Sequence, residues 1–223
     1  MSSPTAAMPL KREGHSIVFN LCVIAAAVAV GGLGLAYLID AAGRNARAPA
    51  PPAGTITQLL GSTSLDIPAA WVSGELPPNG GFAKQIDLNL NLPLGPDGAM
   101  RKVELTLTQR SRVRPSATLL DGVYLHQFMP EQLSGPVGLV GKPLNAADGF
   151  ENETVWYDPL ASSPFVAKCQ APIAEGQPGH CLRAVYLGSG IAAIYGFADD
   201  VLVNWKKFDA DMHPLLAQIG ALW

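Results

Sequence analysis

The chain has 223 residues, of which 48% are hydrophobic and 15% are charged, and its formal net charge is -3. A slightly acidic balance excludes a nucleic-acid-binding role based on overall positive charge, so we expect no nucleic-acid partner. The charged fraction lies below the ~25% of an average soluble protein, partly because one stretch near the N-terminus is strongly apolar.

The apolar stretch at residues 17–39 contains only one strongly polar side chain, Asn20. A helix needs roughly 20 apolar residues to cross the hydrocarbon core of a bilayer, so this stretch predicts a single transmembrane helix. It is longer than the apolar core of a cleaved signal peptide, typically about 7–15 residues, which favours a retained anchor. Residues 1–16 then form a polar cytoplasmic tail, and the lipid bilayer is the first expected partner.

The segment at residues 40–57 is rich in alanine and proline and predicts a semi-extended linker. The remaining residues, 58–223, are numerous enough for one domain with a sizeable hydrophobic core. Basic residues are balanced on the two sides of the apolar stretch, so the positive-inside rule does not decide the orientation of the anchor.

Two stretches with strict alternation of apolar and polar residues give the clearest structural prediction. In residues 85–92 every second residue is apolar, and residues 102–108 repeat the pattern after a turn-forming cluster at 95–98. Alternation with a period of two is typical of a strand with one buried face. We therefore predict an antiparallel hairpin, preceded by a short first strand at 65–68 and 71–72.

The rest of the domain predicts more strands and one final helix. The expected strands lie at residues 122–128, 135–140, 154–157, 165–169, 181–187 and 191–197. From Trp205 onward apolar residues fall at helical spacing, which predicts an amphipathic helix covering one face of the sheet, with Pro214 at a kink or in the first turn of a second part of the helix. The predicted fold class is α+β, a mostly antiparallel β-sheet domain with a C-terminal amphipathic helix; the alternative is a β-sandwich with a helical appendix.

The opening strand Leu65-Asp66-Ile67-Pro68, together with the final apolar helix, resembles the layout of small photosystem-associated α+β domains of the PsbP kind. The resemblance concerns the order of elements and implies an α+β fold. It transfers neither a function nor site residues to this chain.

Cys169 and Cys181 border two strand-like stretches that a loop rich in proline and glycine connects. Such a loop would place the cysteines opposite one another at the base of a hairpin, and we predict a disulfide worth about 2–3 kcal/mol. Disulfides need an oxidising compartment, so the domain is expected in the periplasm and the N-terminus in the cytoplasm. The Ala/Pro-rich anchor and linker suggest a bacterial inner membrane. The alternative is a pair of free buried thiols in a cytoplasmic domain.

A metal site is the competing interpretation of the same cysteines. Cys169 and Cys181, with His180 and His126, would offer thiolate and imidazole ligands for zinc or copper. A disulfide would consume both sulfurs, so the two interpretations exclude each other. Neither a metal nor a cofactor is predicted, and Ser189 lacks the sequence frame of a nucleophile elbow.

The arginines at positions 110, 112 and 114 are the sharpest polar feature. If the second strand of the hairpin continues past residue 108, Arg110, Arg112 and Arg114 point to the same side. Guanidinium groups bind carboxylates and phosphates through paired hydrogen bonds, so we predict a docking site for an acidic partner or for lipid phosphates. The alternative is a solvated strand that protects a sheet edge.

The predicted function is a non-enzymatic protein-binding or assembly module, anchored in the inner membrane of a bacterium and facing an envelope or membrane protein partner. No catalytic residue is predicted. Two alternatives stay open at this stage: an envelope enzyme with a site assembled around His126 and the arginines, and an anchored metal-handling protein that uses Cys169 and Cys181.

Overall fold

The computed structural model describes residues 54–221, apart from positions 173, 175 and 189, together with the single position 32. The predicted tail and transmembrane helix therefore lie outside the described residues, position 32 apart. No helix within the described part of the chain is long and apolar enough to cross a membrane. Residues 54–221 lie in one compact unit, Pro51–Trp223. The domain boundaries at 16, 39 and 57 stay predictions.

The described residues form strands and helices in the order expected of an α+β domain. The strands are β1 (Thr55–Leu60), β2 (Thr63–Pro68), β3 (Phe82–Ala83), β4 (Gln85–Leu92), β5 (Arg101–Gln109), β6 (Val140–Pro143), β7 (Glu153–Tyr157), β8 (Val166–Gln170), β9 (His180–Tyr186) and β10 (Ile191–Ala198). The α-helices are α1 (Ser116–Gly122) and α2 (Trp205–Gln218), and short 3-10 turns include Arg110–Arg112, Tyr124–His126 and Asp199–Asn204.

Seven of the strands form one sheet in the order β4-β5-β10-β9-β8-β7-β6. Every neighbouring pair in it is antiparallel. A second sheet has the order β2-β1-β3, in which β1 pairs antiparallel with β2 and parallel with β3. The mostly antiparallel α+β domain with a C-terminal helix is thereby confirmed.

The main core lies between one face of the seven-stranded sheet, the second sheet and α2. The predicted hairpin is present, with Ile86 opposite Leu107 and Leu88 opposite Leu105. These side chains are buried, whereas Asp87 and Asn89 lie on the other face and are partly exposed. Period-two alternation thus selects the buried face of the hairpin.

Phe208 of α2 is the aromatic centre of this core. Its ring lies 5.2 Å from that of Tyr195 and 5.0 Å from that of Phe197, measured between ring centroids. Phe165 lies 6.1 Å away at a steep angle. Met212 and Leu216 follow one and two turns further along α2 and are also buried. Aromatic pairs at these distances add to the free energy gained from area burial alone.

A smaller core lies on the opposite face of the seven-stranded sheet. It combines Leu120 of α1 and Tyr124 with Leu144, Val155 and Val166. Val155 and Val166 alternate along β7 and β8 with residues that face the main core, so they point to the other side. The helix α1 packs on this face against β8 and β9.

Several predicted elements are wrong in type or position. The strand expected at 122–128 is the end of α1 followed by a 3-10 turn, because Leu120 and Tyr124 bury at helical spacing. Of the strand expected at 135–140 only residue 140 belongs to β6, since prolines and glycines interrupt the preceding loop. The predicted C-terminal helix is present as α2 from Trp205 to Gln218, with Pro214 inside it, and a kink at Pro214 stays a prediction. β1 begins at Thr55, and the linker boundary at 57 stays a prediction.

The position of Phe208 predicts a large effect of truncation. We expect Phe208→Ala to lower the free energy of unfolding by about 3–5 kcal/mol, because it leaves a cavity against three aromatic rings. Val203→Ala, at a residue that is 54% exposed, should change it by less than about 0.5 kcal/mol. Urea unfolding monitored by circular dichroism measures both values, and equal effects of the two variants would contradict the described core.

Candidate functional site

The three predicted arginines lie on a turn and not on a strand. β5 ends at Gln109, and Arg110–Arg112 form a 3-10 turn before the chain extends again at Val113. The expected continuation of the strand is therefore wrong, and strand alternation does not align the side chains. All three arginines are nevertheless exposed. We call residues 110–114 the arginine segment.

The backbone of the arginine segment is fixed at both ends. The Arg110 N–H donates to the Gly190 carbonyl at 3.0 Å, which ties the segment to the turn before β10. The Tyr186 hydroxyl donates to the Val113 carbonyl at 2.9 Å. The Arg110 guanidinium lies 4.0 Å from the centroid of the Tyr186 ring, a cation–π contact. Binding a partner therefore costs little ordering of this backbone.

The positive charges of the arginine segment are not neutralised within the described part of the chain. The ion pairs there join other residues, such as Arg101 with Asp200 and Lys168 with Glu153. No carboxylate of a described residue forms an ion pair with Arg110, Arg112 or Arg114. Three exposed cations thus stand close together on a chain whose formal net charge is -3.

A cleft of about 350 Å³ adjoins the arginine segment, and we call it the α1 cleft. One wall is the start of α1, and the other comprises the 163–164 loop and the end of β9. The lining residues are Pro115, Ser116, Ala117, Ser163, Pro164, Val166, Arg183, Ala184, Val185, Tyr186 and Asp209. Pro115 follows the arginine segment directly, and Tyr186 contacts Arg110. The cleft and the charges are therefore contiguous.

The α1 cleft exists because β8 and β9 part from each other. Their pairing comprises Lys168 with Leu182, Cys169 with Cys181, and Gln170 with His180. Beyond it, the Ala184 N–H donates to the Ser116 hydroxyl oxygen at 2.9 Å. The first residue of α1 thus satisfies a partly buried donor that would otherwise lack a ladder partner.

A buried arginine lines the cleft where it reaches the main core. The Arg183 side chain is only 7% exposed, and its two terminal nitrogens donate to the two oxygens of Asp209, one of them at 2.9 Å. Its guanidinium lies 4.5 Å from the centroid of the Phe165 ring. This bidentate pair ties β9 to α2 and leaves little net charge inside the cleft.

Tyr195 lies opposite Arg183 in the register of β9 and β10. It is fully buried, and its hydroxyl has no hydrogen-bond partner among the described residues. Burial raises the pKa of the Tyr195 phenol above its usual value, because the phenolate would lose its hydration. The phenol therefore stays protonated behind the cleft, beside the Arg183–Asp209 pair.

The structure places the predicted cysteines directly opposite each other across β8 and β9, at disulfide distance. Both are buried in the main core. His180 neighbours Cys181 at the start of β9, and His126 ends the turn after α1; both side chains are exposed. No group of three or more possible metal ligands occurs among the described residues. Ser189 lies outside them.

Sequence reasoning identified the arginines but missed Arg183, Asp209 and the cleft. The one available signal was Arg183 itself, a charged residue inside the otherwise apolar run at 182–187. A charge at a strand position that faces the core is expected to have a partner. Its partner Asp209 lies on a different element, and the sequence gives no indication of that pairing.

Comparisons with known proteins identify a shared fold and no family. No protein-family description matches the chain, and no curated protein matches it. One similar solved structure is Smlt3025, an immunity protein of the Stenotrophomonas maltophilia type IV secretion system. It is 13% identical, the TM-score is 0.50, and the match covers 74% of this chain and 93% of that chain.

A second similar structure is FrpD, an iron-regulated outer membrane lipoprotein of Neisseria meningitidis. It is 8% identical, the TM-score is 0.43, and the match covers 74% of this chain and 91% of that chain. At 13% identity the likeness to Smlt3025 shows the fold, and function must be argued from the site.

The unequal exposure of the Arg183–Asp209 pair predicts unequal effects of removing either partner. Asp209→Asn leaves a buried guanidinium without a counter-charge and should lower the free energy of unfolding by about 3 kcal/mol. Arg183→Met keeps the stem volume and leaves a carboxylate that is 49% exposed, so the loss should be about 1 kcal/mol. Urea unfolding at pH 7 compares them; a larger loss for Arg183→Met would contradict this description.

Proposed function

We propose that this chain is a non-enzymatic protein-binding module of a bacterial envelope complex. It is anchored in the inner membrane by residues 17–39, with its N-terminus in the cytoplasm and its α+β domain in the periplasm. The domain binds a protein partner through the arginine segment.

The observation that carries the proposal is the arginine segment itself. Arg110, Arg112 and Arg114 are exposed, stand close together and have no ion-pair partner among the described residues. Like charges held together on a fixed backbone repel one another, and a partner's carboxylates relieve that repulsion. Arginine suits such a surface because its planar guanidinium forms paired hydrogen bonds with a carboxylate.

The envelope location rests on two supports. Cys169 and Cys181 lie at disulfide distance, and a stable disulfide is typical of an oxidising compartment such as the periplasm. The apolar stretch at 17–39 is long enough to retain the chain in a membrane.

The fold shared with an immunity protein of a secretion system supports, by analogy of fold alone, a protein-binding role.

The proposal predicts that one charge reversal removes the partner. Full-length tagged chain is purified in mild detergent from cells of the bacterium that makes it, and associated proteins are quantified by mass spectrometry. Arg112→Glu should lower the recovery of a stoichiometric partner at least about tenfold, because a carboxylate replaces the cation that the partner's carboxylates contact.

The matched control is Lys206→Glu, which makes the same charge change at an exposed position of α2 and should leave recovery unchanged. Flotation with phosphatidylglycerol vesicles tests lipid phosphates as the target. Unchanged partner recovery with Arg112→Glu, or loss of vesicle binding alone, would contradict docking of a protein at the arginine segment.

A further inference from the structure

A second hollow extends the α1 cleft along the helix. It has a volume of about 490 Å³ and shares Ala117, Ser163 and Pro164 with the cleft. It continues past Thr118 to Asp121, so a continuous groove runs between α1 and the 162–164 loop. We call the cleft and this hollow together the α1 groove.

The α1 groove meets the arginine segment at one end. Pro115 belongs to the cleft and follows Arg114 in the chain, while Tyr186 lines the cleft and contacts the Arg110 guanidinium at 4.0 Å. The far end of the groove carries an acidic side chain, Asp121. The groove therefore has a positive end and a negative end, which favours a ligand whose acidic part lies at the arginine segment.

The cleft itself suits an uncharged side chain. Ala117, Pro164, Val166 and Val185 contribute the apolar half of its lining, and polar groups contribute the other half. The Ser116 hydroxyl accepts the Ala184 N–H, and Asp209 already pairs with Arg183. A charge placed there would find no free counter-charge, whereas an apolar side chain would lose only its contact with water.

We propose that the α1 groove binds an extended acidic peptide segment of the protein partner. Its carboxylates contact the arginine segment, and one large apolar side chain enters the cleft. The cleft volume of about 350 Å³ falls within the usual range of about 300–1,000 Å³ for sites that bind small ligands. A buried apolar anchor beside charged contacts is the common arrangement of a binding hot spot. The inference rests on the proposed function and adds the chemistry of the ligand.

A peptide fits these observations better than a lipid. An acyl chain gains from a long and wholly apolar channel, whereas the groove carries the hydroxyls of Ser162 and Ser163 and the carboxylate of Asp121. A peptide backbone has donors and acceptors that such groups satisfy. Lipid binding is accordingly an outcome that the experiment tests.

The probe is a display library of random 12-residue peptides, selected against the full-length chain in detergent micelles. We expect enriched peptides to carry two or more acidic residues beside one large aliphatic or aromatic residue. The most enriched peptide is then labelled with fluorescein, and its dissociation constant is measured by anisotropy.

Ser163→Phe fills the cleft from an exposed loop and should weaken peptide binding at least about tenfold, as loss of a hot-spot pocket does. Ala161→Phe adds the same ring two residues earlier, outside the groove, and should leave the constant within about twofold. Ala117→Leu fills the groove from the helix side and gives a second test. Thermal unfolding verifies that each variant is folded.

Three outcomes would overturn the inference. The selected peptides could show no enrichment of acidic residues beside a large apolar residue, or both filling variants, Ser163→Phe and Ala117→Leu, could bind the peptide with unchanged affinity. Alternatively, the filling variants could lose binding to phosphatidylglycerol vesicles while they retain binding to the peptide. Each is distinguishable from failure of the proposed function. If partner recovery still depends on Arg112 in these cases, the protein-binding role stands and only the groove assignment is wrong.

Discussion

The packing of Phe208 against Tyr195 and Phe197 is the contact on which the rest of the domain depends. β10 lies between β5 and β9 in the seven-stranded sheet, so a helix fixed on β10 fixes the main core. The next residue of α2, Asp209, then reaches Arg183 on β9. Burial of one aromatic side chain and pairing of its neighbour thus place α2 at the α1 cleft. The contacts that stabilise the main core therefore also position Asp209 in the candidate site.

The sequence predicted those elements whose local pattern agrees with the final packing. β4 was predicted at its full extent, 85–92, because strict alternation matches a sheet with one buried face. β1 and α1 were missed because Ala/Pro-rich surroundings and a short helix give weak local signals. The arginines were found from their residue type. The cleft was not, since it arises where β8 and β9 part and Ser116 takes the place of a ladder partner; no sequence spacing encodes that contact.

In the proposed docking site, two neighbouring features would perform two tasks. The arginine segment would supply charge at the surface, which steers encounter and discriminates against basic partners. The α1 groove supplies shape, because its walls are held by strand β9, helix α1 and the ion pair behind them. Tyr186 joins the two, with its ring under Arg110 and its hydroxyl on Val113. Recognition of a partner, as proposed, would benefit from this rigidity, because a pre-ordered surface loses little conformational entropy on binding.

Photo-crosslinking in intact cells tests protein docking at the arginine segment and the α1 groove. A photoreactive phenylalanine derivative replaces Arg112, Ser163 or Lys206 in separate full-length chains, and the products are identified by mass spectrometry. We expect positions 112 and 163 to crosslink to the same protein, through an acidic segment of it, and position 206 not to crosslink to it. Crosslinks to lipid alone at position 112, or equal protein crosslinking at position 206, would contradict this docking.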